Sequence, residues 1–261
     1  MPSTLTNVAI ENAPDNAIGF DVNHPISSAQ AKAAFKSGFL FCIRYVPRLE
    51  LNIEPVGDPD ITFNEANRIL DSGLALFLVQ HVSNPGWSAN GIKGARFGKN
   101  AAIYANECGF PRGVNIFLDL EEVSSASSPS QIEDFCNEWF DALSISGYEP
   151  GVYVGSKNGL NAAQLFSGTK FAHYWHAASQ ADPPTPRPTD RGYQVFQPLH
   201  LTSTQFGKLN HVSLIDKIGL GGTHPAFEID LKVGSEVIED VDLDFTITDK
   251  KGGNVKWIRR V

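Results

Sequence analysis

The chain has 261 residues, 42% of them hydrophobic and 19% charged, with a formal net charge of −8 at pH 7. This length suits one domain of about 250 residues, and the composition is that of an ordinary globular protein. The acidic balance, with no cluster of Lys and Arg, argues against nucleic acid as a partner. The N-terminus has no basic segment followed by an apolar one, and no long apolar span occurs anywhere. We therefore expect a soluble protein without a membrane partner or a cleavable signal peptide, either cytoplasmic or exported by another route.

Short apolar runs alternate with amphipathic helices along the first two thirds of the chain. Thr62 and Glu65 form a capping-box pattern at the start of one helix, and Gly73 is a typical helix stop. The pattern predicts helices at about 27–37, 62–72, 91–108, 129–146 and 160–166. It predicts strands at residues 18–22, 39–45, 74–80, 114–119, 151–155, 172–178 and 193–197. Such alternation is typical of parallel β/α units.

The remaining segments are less regular. Residues 181–191 are rich in proline and predict a loop, because proline disrupts regular helices. Residues 198–240 contain the Gly221–Gly222 pair and an extended run at 227–233, and an eighth strand is predicted at 241–245. Residues 1–16 are predicted to be a loose N-terminal leader, 17–249 the folded domain, and 250–261 a C-terminal extension.

The apolar strand runs are continuous rather than alternating, which predicts strands covered on both faces. Eight such strands favour closure into a single (β/α)8 TIM-type barrel, with an open doubly wound sheet as the alternative. No Gly-x-Gly-x-x-Gly follows the first strand and no Walker loop is present, which counts against a nucleotide-binding open sheet. The cysteines, Cys42, Cys108 and Cys136, are odd in number and widely spaced, so buried free thiols are expected.

Carboxylates gather where predicted strands end, which is where barrel enzymes place their active sites. Asp21 ends the first strand, Asp119 and Glu121 lie at the end of the fourth, and Asp242 and Asp244 lie in the eighth. Asp119 and Glu121 face the same side about 6.6 Å apart along the strand. Clustered like charges raise at least one pKa, and a carboxyl group that stays protonated can protonate a glycosidic oxygen. The alternative is that each Asp caps the helix or loop that follows it.

Aromatic and amide groups at other strand ends fit a sugar site. Their side chains can stack on pyranose rings or bond hydroxyl groups, although each alone is also common in a core or rim. The candidate substrate-binding residues are Tyr45, Gln80, His81, Tyr153, Trp175 and Gln197, with His176 as a further candidate. The histidines also raise the possibility of a metal site, but no HxH or HExxH spacing is present, so we predict neither metal nor cofactor.

Five short motifs occur in an order that resembles glycoside hydrolase family 25 lysozymes: IGFDV (18–22), FLDLE (117–121), GVYV (151–154), YWHA (174–177) and VDLD (241–244). The sequence is more similar still to their relatives, the Rv2525c-like glycoside-hydrolase-like domains, also called domain of unknown function 1906. FCIRYV (41–46), ITFNEA (61–66) and FLVQH (77–81) carry that closer resemblance. It covers about residues 17–246, but the segment VFQP (195–198) departs from the Trp-Gln-Tyr usual in the lysozymes.

The resemblance implies hydrolysis of β-1,4 bonds in a peptidoglycan-like, N-acetylated bacterial cell-wall glycan by a monomeric enzyme. Glu121 would be the general acid, Asp119 would position the acetamido group that acts as internal nucleophile, and Asp21 and Asp242 would support them. The long segment before the eighth strand leaves Asp244 and Asp230 as rivals of Asp242. The alternatives are a catalytically inactive glycan-binding or structural barrel, and a delivered effector or phage-lysin component.

Overall fold

The computed structural model describes residues 4–48, 60–81, 84–177, 185–188, 192–202, 209, 212–214, 223–225, 229–247 and 253–261. Most of the proline-rich segment 181–191 and the Gly221–Gly222 pair lie outside these residues.

Strands and helices alternate through the first two thirds of the chain, as the sequence pattern predicts. The strands are β1 (Val8–Asn12), β2 (Ile18–Val22), β3 (Phe41–Val46), β4 (Ala75–Gln80), β5 (Asn115–Leu120), β6 (Glu149–Val154), β7 (His173–Ala177), β8 (Val195–Gln197), β9 (His200–Thr202), β10 (Val212–Leu214), β11 (Thr223–Pro225), β12 (Ile229–Val233), β13 (Glu236–Thr246) and β14 (Lys256–Arg260). The helices are α1 (Ser28–Lys36), α2 (Phe63–Asp71), α3 (Gly91–Glu107), α4 (Pro129–Ile145) and α5 (Ala162–Ser167).

Eight strands close into a ring in the order β2-β3-β4-β5-β6-β7-β8-β13, and β13 returns to β2. The prediction of a single barrel of the (β/α)8 TIM type is confirmed. The strands β2 to β8 are parallel to their neighbours, whereas β13 runs antiparallel to both β2 and β8. The predicted eighth strand, 241–245, lies within β13, but its direction differs from that of a regular β/α unit. The chain enters β13 from β12 through a tight turn at Gly234, and such a hairpin produces an antiparallel strand without a crossover helix.

Alternate residues of each strand face the interior of the ring or the helices outside it. Inside, Phe41, Phe77 and Phe117 form successive ring contacts with centroids 5.6 Å apart. Gly19 and Gly151 make this possible, since a Cβ on either residue would lie within 2.5 Å of the neighbouring phenyl ring. The lower interior is therefore a packed aromatic core rather than a pore.

The helices α3 and α4 form the closest contact between helices outside the ring. Gly94 and Gly98 lie one turn apart on α3, where a Cβ would come within 2.1 and 2.4 Å of backbone oxygens of α4. Cys42, Cys108 and Cys136 are buried and free, as predicted. Among the described residues, no helix is both long and apolar enough to cross a membrane.

The terminal segments close the bottom of the ring, where the parallel strands begin. The strands β1 and β14 form an antiparallel ribbon, and Ile258 of β14 pairs with Leu76 of β4. Trp257 and Ile258 are fully buried, and the Trp257 indole packs 5.5 Å from the ring of Phe41. The described parts of both terminal segments therefore contribute paired strands and buried side chains to the bottom of the ring.

Candidate active site

Three carboxylates meet at the top of the ring because of strand register. Asp242 of β13 is directly opposite Asp21 of β2, and Asp119 of β5 is opposite Tyr153 of β6. Asp21 and Asp119 are 5% and 6% exposed. Glu121 lies one residue beyond the end of β5 and is partly buried. The barrel thus brings together the four acidic residues that sequence analysis predicted to be catalytic.

A hydrogen-bond network joins the acidic residues across the mouth. The Tyr45 hydroxyl donates to Asp21 Oδ1 at 2.9 Å. Gln197 Nε2 donates to Asp21 Oδ2 at 3.1 Å and to Asp242 Oδ2 at 2.9 Å. The Tyr153 hydroxyl donates to Gln197 Oε1 at 2.9 Å. One amide therefore bridges two carboxylates and fixes the rotamers of the groups on either side.

Glu121 is held in place by a hydrogen bond to its backbone and by close contact with the residue that follows β6. The Trp87 indole N–H donates to the Glu121 carbonyl oxygen at 2.8 Å. A Cβ on Gly155 would lie 2.5 Å from both Cβ and Oε2 of Glu121, so the carboxyl group occupies space that only glycine leaves open. Burial raises the pKa of Glu121 to about 7, helped by the charges of Glu122 and Asp242, while a backbone hydrogen bond from Ser156 opposes the rise. At neutral pH a large fraction of this carboxyl group is protonated.

Two deeper carboxyl groups also resist ionisation. Burial raises the pKa of Asp21 well above its ordinary value, with a second contribution from the charge of Asp242. Asp244 is fully buried two residues below Asp242, and burial followed by the charges of Asp21 and Asp242 raises its pKa as well. Low dielectric and mutual repulsion both favour the neutral forms.

The remaining predicted binding residues divide into two groups. Tyr45 and Tyr153 are partly exposed at the mouth, and the His81 ring packs at a tilt against Tyr45 with centroids 4.5 Å apart. Gln197 is at the centre of the network. These four residues, together with the four carboxylates, form the mouth of the barrel.

Gln80 lies apart from the mouth, contrary to the sequence prediction. Its amide accepts a hydrogen bond from the Trp139 indole at 2.7 Å and donates to the Pro47 and Phe97 carbonyl oxygens. These partners lie outside the ring, on or next to the helices that cover it. Residue 80 has the opposite strand parity to Phe77 and His81, so its side chain points outward.

Trp175 and His176 also differ from expectation. Trp175 is only 1% exposed and packs edge-on against Tyr153 with centroids 4.6 Å apart, so it forms the floor of the site and cannot stack on a sugar. His176 points out of the ring, where its Nε2 contacts Thr185 and its ring stacks on Phe196. Neither residue presents a surface to the mouth.

The position of the eighth-strand acid follows from the register of β13. Asp242 is opposite Asp21 at the mouth, whereas Asp244 is opposite Gly19 in the interior. Asp230 lies on β12, outside the ring, and its Oδ1 accepts a hydrogen bond from the backbone of Asp240. The structure therefore places Asp242 at the mouth, Asp244 in the interior below it and also within reach of Asp21, and Asp230 outside the ring.

Trp87 and Gly155 are the residues of this site that sequence reasoning missed. Trp87 follows β4 in a loop that carried no motif, and it reaches Glu121 only because the chain folds back beside β5 through the Trp87–Val123 bridge. Gly155 directly follows the GVYV motif, and a glycine just beyond a strand end is a detectable signal for close backbone approach.

A closed β/α ring with an acidic, tyrosine-lined mouth is the arrangement expected of a glycoside-hydrolase-like barrel. Comparison of sequences is consistent with this class: the chain belongs to the family of the Rv2525c-like, glycoside hydrolase-like domain, whose sequence model matches residues 32–217. This confirms the resemblance seen in the sequence motifs. No curated protein sequence matches the chain significantly.

Solved structures with the same fold include an uncharacterized protein of B. stearothermophilus, with 17% identity, a TM-score of 0.53, and 88% of this chain and 95% of that chain covered. The Tat-secreted protein Rv2525c of Mycobacterium tuberculosis has 14% identity, a TM-score of 0.53 and coverage of 92% and 99%. A glycosyl hydrolase 25 of Streptococcus pneumoniae has 12% identity, a TM-score of 0.50 and coverage of 87% and 86%. At these identities the similarity establishes the fold.

Proposed function

We propose that this protein is a lysozyme-like glycoside hydrolase that cleaves β-1,4 bonds in a peptidoglycan-like, N-acetylated glycan. The observation that carries the proposal is the environment of Glu121, a carboxyl group with a pKa of about 7 beside Asp119 and Asp242 at the mouth of the barrel. A general acid works best when its pKa lies near the working pH. The structural similarity to a family 25 glycosyl hydrolase supports the same class of reaction.

In the proposed reaction Glu121 donates its proton to the glycosidic oxygen as the bond to the anomeric carbon breaks. Asp119 accepts a hydrogen bond from the substrate's acetamido N–H, so that the acetamido oxygen attacks the anomeric carbon from the opposite side. Water then opens the cyclic intermediate while Glu121 takes back a proton. In this substrate-assisted route the protein supplies only one acid and one orienting carboxylate.

Asp21, Asp242 and Gln197 would keep the supporting side of the mouth rigid. Their hydrogen bonds lock each other's rotamers, and the hydroxyl groups of Tyr45 and Tyr153 extend the same network. A sugar ring in the mouth would contact the partly exposed rings of Tyr45 and Tyr153. Rigid placement of this kind contributes to catalysis by holding the substrate near its reactive geometry.

The proposed substrate also bears on where the protein acts. Peptidoglycan lies outside the cytoplasmic membrane, and the related Rv2525c protein is Tat-secreted. We therefore expect this protein to act outside the cytoplasm as a monomer on a polysaccharide.

Glycan binding without cleavage is a second candidate function. It is favoured by the hydrogen bonds that the mouth already contains. Asp21 accepts hydrogen bonds from Tyr45 and Gln197, and Asp242 accepts one from Gln197. Such a mouth can bind the hydroxyl groups of a glycan at its rim. Binding of this kind does not require that every carboxylate implied in catalysis is free to contact the substrate.

The deciding experiment measures release of reducing ends from purified peptidoglycan and from chitin oligomers. The wild-type protein should release them, whereas Glu121→Gln should reduce the rate by about 10²-fold to 10⁴-fold, because the proton donor is lost. Asp134→Asn, at an exposed position on α4, is the matched control and should retain the wild-type rate. Glycan binding by the wild type without any release of reducing ends would refute hydrolysis and support the second candidate.

A further inference from the structure

Glu122 and Lys157 share an unusual backbone conformation. Their φ angles are +50° and +48°, in the left-handed region that side chains other than Gly, Asn and Asp rarely adopt. The other described non-glycine residues in this region are Asn7, Asn16 and Asp240, which tolerate it better. Unfavourable conformations of this kind persist only where the surrounding structure enforces them, and they concentrate at functional sites.

The two residues are joined by backbone and side-chain contacts directly after β5 and β6. The Glu122 N–H donates to the Ser156 carbonyl oxygen at 2.8 Å, and the Val123 N–H donates to the Lys157 carbonyl oxygen at 3.0 Å. Lys157 Nζ lies 3.0 Å from Glu122 Oε2, and the Ser156 hydroxyl donates to Glu122 Oε1 at 3.0 Å. We call Glu122, Ser156 and Lys157 the clamp.

The clamp separates two adjacent glutamates. The left-handed turn at Glu122 directs its side chain toward Ser156 and Lys157, while the preceding Glu121 side chain packs on Gly155. In a regular strand, consecutive residues would alternate between the two faces, and the strand ladder alone would hold them. Here the ion pair between Glu122 and Lys157 additionally holds the turn from which the Glu121 carboxyl group projects.

We propose that the clamp is a positioning device for Glu121, in which the ion pair between Glu122 and Lys157 holds the turn from which the Glu121 carboxyl group projects and Glu122 places a negative charge beside that group. Glu122 and Lys157 are positioning residues, since they act on the substrate only through Glu121. The consequence for catalysis rests on the proposed hydrolytic function, whereas the effect on the titration of Glu121 does not.

The charges around Glu121 agree with this role. After burial, the charge of Glu122 is the largest contribution that raises the pKa of Glu121. Asp242 faces it from β13, Tyr153 from β6, and Asp119 precedes it on β5. The hydrogen bond from Lys157 keeps the pKa of Glu122 below its ordinary value, so Glu122 is already charged when Glu121 titrates.

The experiment follows the carboxyl carbon of Glu121 by ¹³C NMR as the pH is raised, with the signal assigned by its loss in Glu121→Gln. Glu122→Gln should lower the titration midpoint by about 0.5 to 1 pH unit, the size expected on removal of one nearby, partly solvated charge. Glu122→Asp keeps the charge and should restore most of the shift. Lys157→Gln should leave the midpoint at or above the wild-type value, because the charge of Glu122 then lacks its partner.

Asp141→Asn is the control. Asp141 lies in the second half of α4 and forms a surface ion pair with Lys170, so removal of its charge should leave the titration midpoint of Glu121 unchanged. A Glu122→Gln midpoint within 0.2 pH unit of the wild type, with the fold intact by circular dichroism, would overturn the proposal. So would a Lys157→Gln midpoint that falls as far as that of Glu122→Gln.

The titration also separates this proposal from the proposed function. If the protein hydrolyses glycan, the alkaline limit of kcat/KM, which reports the pKa of the free enzyme, should move with the NMR midpoint, while KM below that limit changes little. A shifted midpoint in a protein that releases no reducing ends would refute hydrolysis and leave the clamp in place. Hydrolysis with an unshifted midpoint would refute only the clamp.

Discussion

The two ends of the barrel are built on opposite principles. At the bottom, the ribbon of β1 and β14 buries Trp257 against Phe41. At the mouth, strands of the ring lead into carboxyl groups whose burial raises their pKa, and into left-handed residues at Glu122 and Lys157. Burial of ionisable groups is unfavourable, whereas burial of an indole is strongly favourable. The bottom therefore provides stability, and the mouth holds groups whose chemistry requires an unfavourable environment.

Trp257→Ala tests the stabilising role of the bottom. Deleting this fully buried side chain should lower the free energy of unfolding by about 3 to 5 kcal/mol, since the lost contacts leave a cavity. Chemical denaturation followed by circular dichroism measures the change. Val261→Ala, at a residue 77% exposed, should change stability by no more than about 0.5 kcal/mol. If Trp257→Ala shifted the titration of Glu121, the two ends would not be independent.

Gly155→Ala tests the close packing at the mouth. The added methyl group would lie 2.5 Å from Cβ and Oε2 of Glu121, and it should displace the proton donor. A displacement of about 1 Å can reduce a reaction rate by about 100-fold, so kcat/KM for glycan hydrolysis should fall by that factor. Gly91→Ala at the start of α3, where the nearest atom belongs to the flexible Glu138 side chain, is the control. Equal rates for both variants would contradict the packing argument.

The pH dependence of hydrolysis tests the protonation of Glu121. The proposed acid is active when protonated, and its pKa is about 7. The rate should therefore fall tenfold for each pH unit above about 7. Initial rates of reducing-end release between pH 5 and 9 measure this limit. An alkaline limit near pH 4 to 5, typical of a solvated glutamate, would show that the mouth does not hold the proton.

Asp244→Asn tests the smallest expected effect, which is the loss of stability caused by a buried carboxyl group below the mouth. A carboxyl group whose pKa is raised in the folded chain binds its proton more tightly there than in the unfolded chain. Its favourable contribution is complete below a pH of about 4 and is lost as the pH rises through the folded value. At pH 7 the free energy of unfolding of the variant should therefore be about 1 kcal/mol higher than that of the wild type. A gain of this size is typical when an unfavourable group at a functional site is replaced.

The difference between Asp244→Asn and the wild type should shrink toward pH 4, which thermal unfolding across the pH range can measure. Asp134→Asn, at an exposed position, should show neither the gain nor the pH dependence. A loss of stability in Asp244→Asn at neutral pH would mean that the ionised carboxylate has partners it requires.

The acidic residues of the mouth were predictable because they coincide with strand ends. Apolar runs followed by Asp21, Asp119 and Glu121 are local signals, and barrel geometry gathers all such ends at one face. Gln80 and Trp175 were misplaced for a different reason. In strands covered on both faces, the apolar residues are continuous and do not indicate which side chains point into the ring. The face on which a residue lies therefore follows only from its partners in the sheet.

The sequence by itself determined the alternation of helices and strands from β2 to β8 and the placement of Asp21, Asp119 and Glu121 at strand ends, because these depend on periodicity and capping within short segments. It favoured a closed ring of eight strands over an open sheet, and the structure shows that closure. Only the tertiary structure decided the antiparallel direction of β13, the bridge from Gln197 to Asp21 and Asp242, and the closure of the bottom by the two termini. Each of these features joins residues that lie far apart in the chain; Gln197 and Asp21, for example, are 176 residues apart. Such contacts depend on the register of distant strands, which no local pattern specifies.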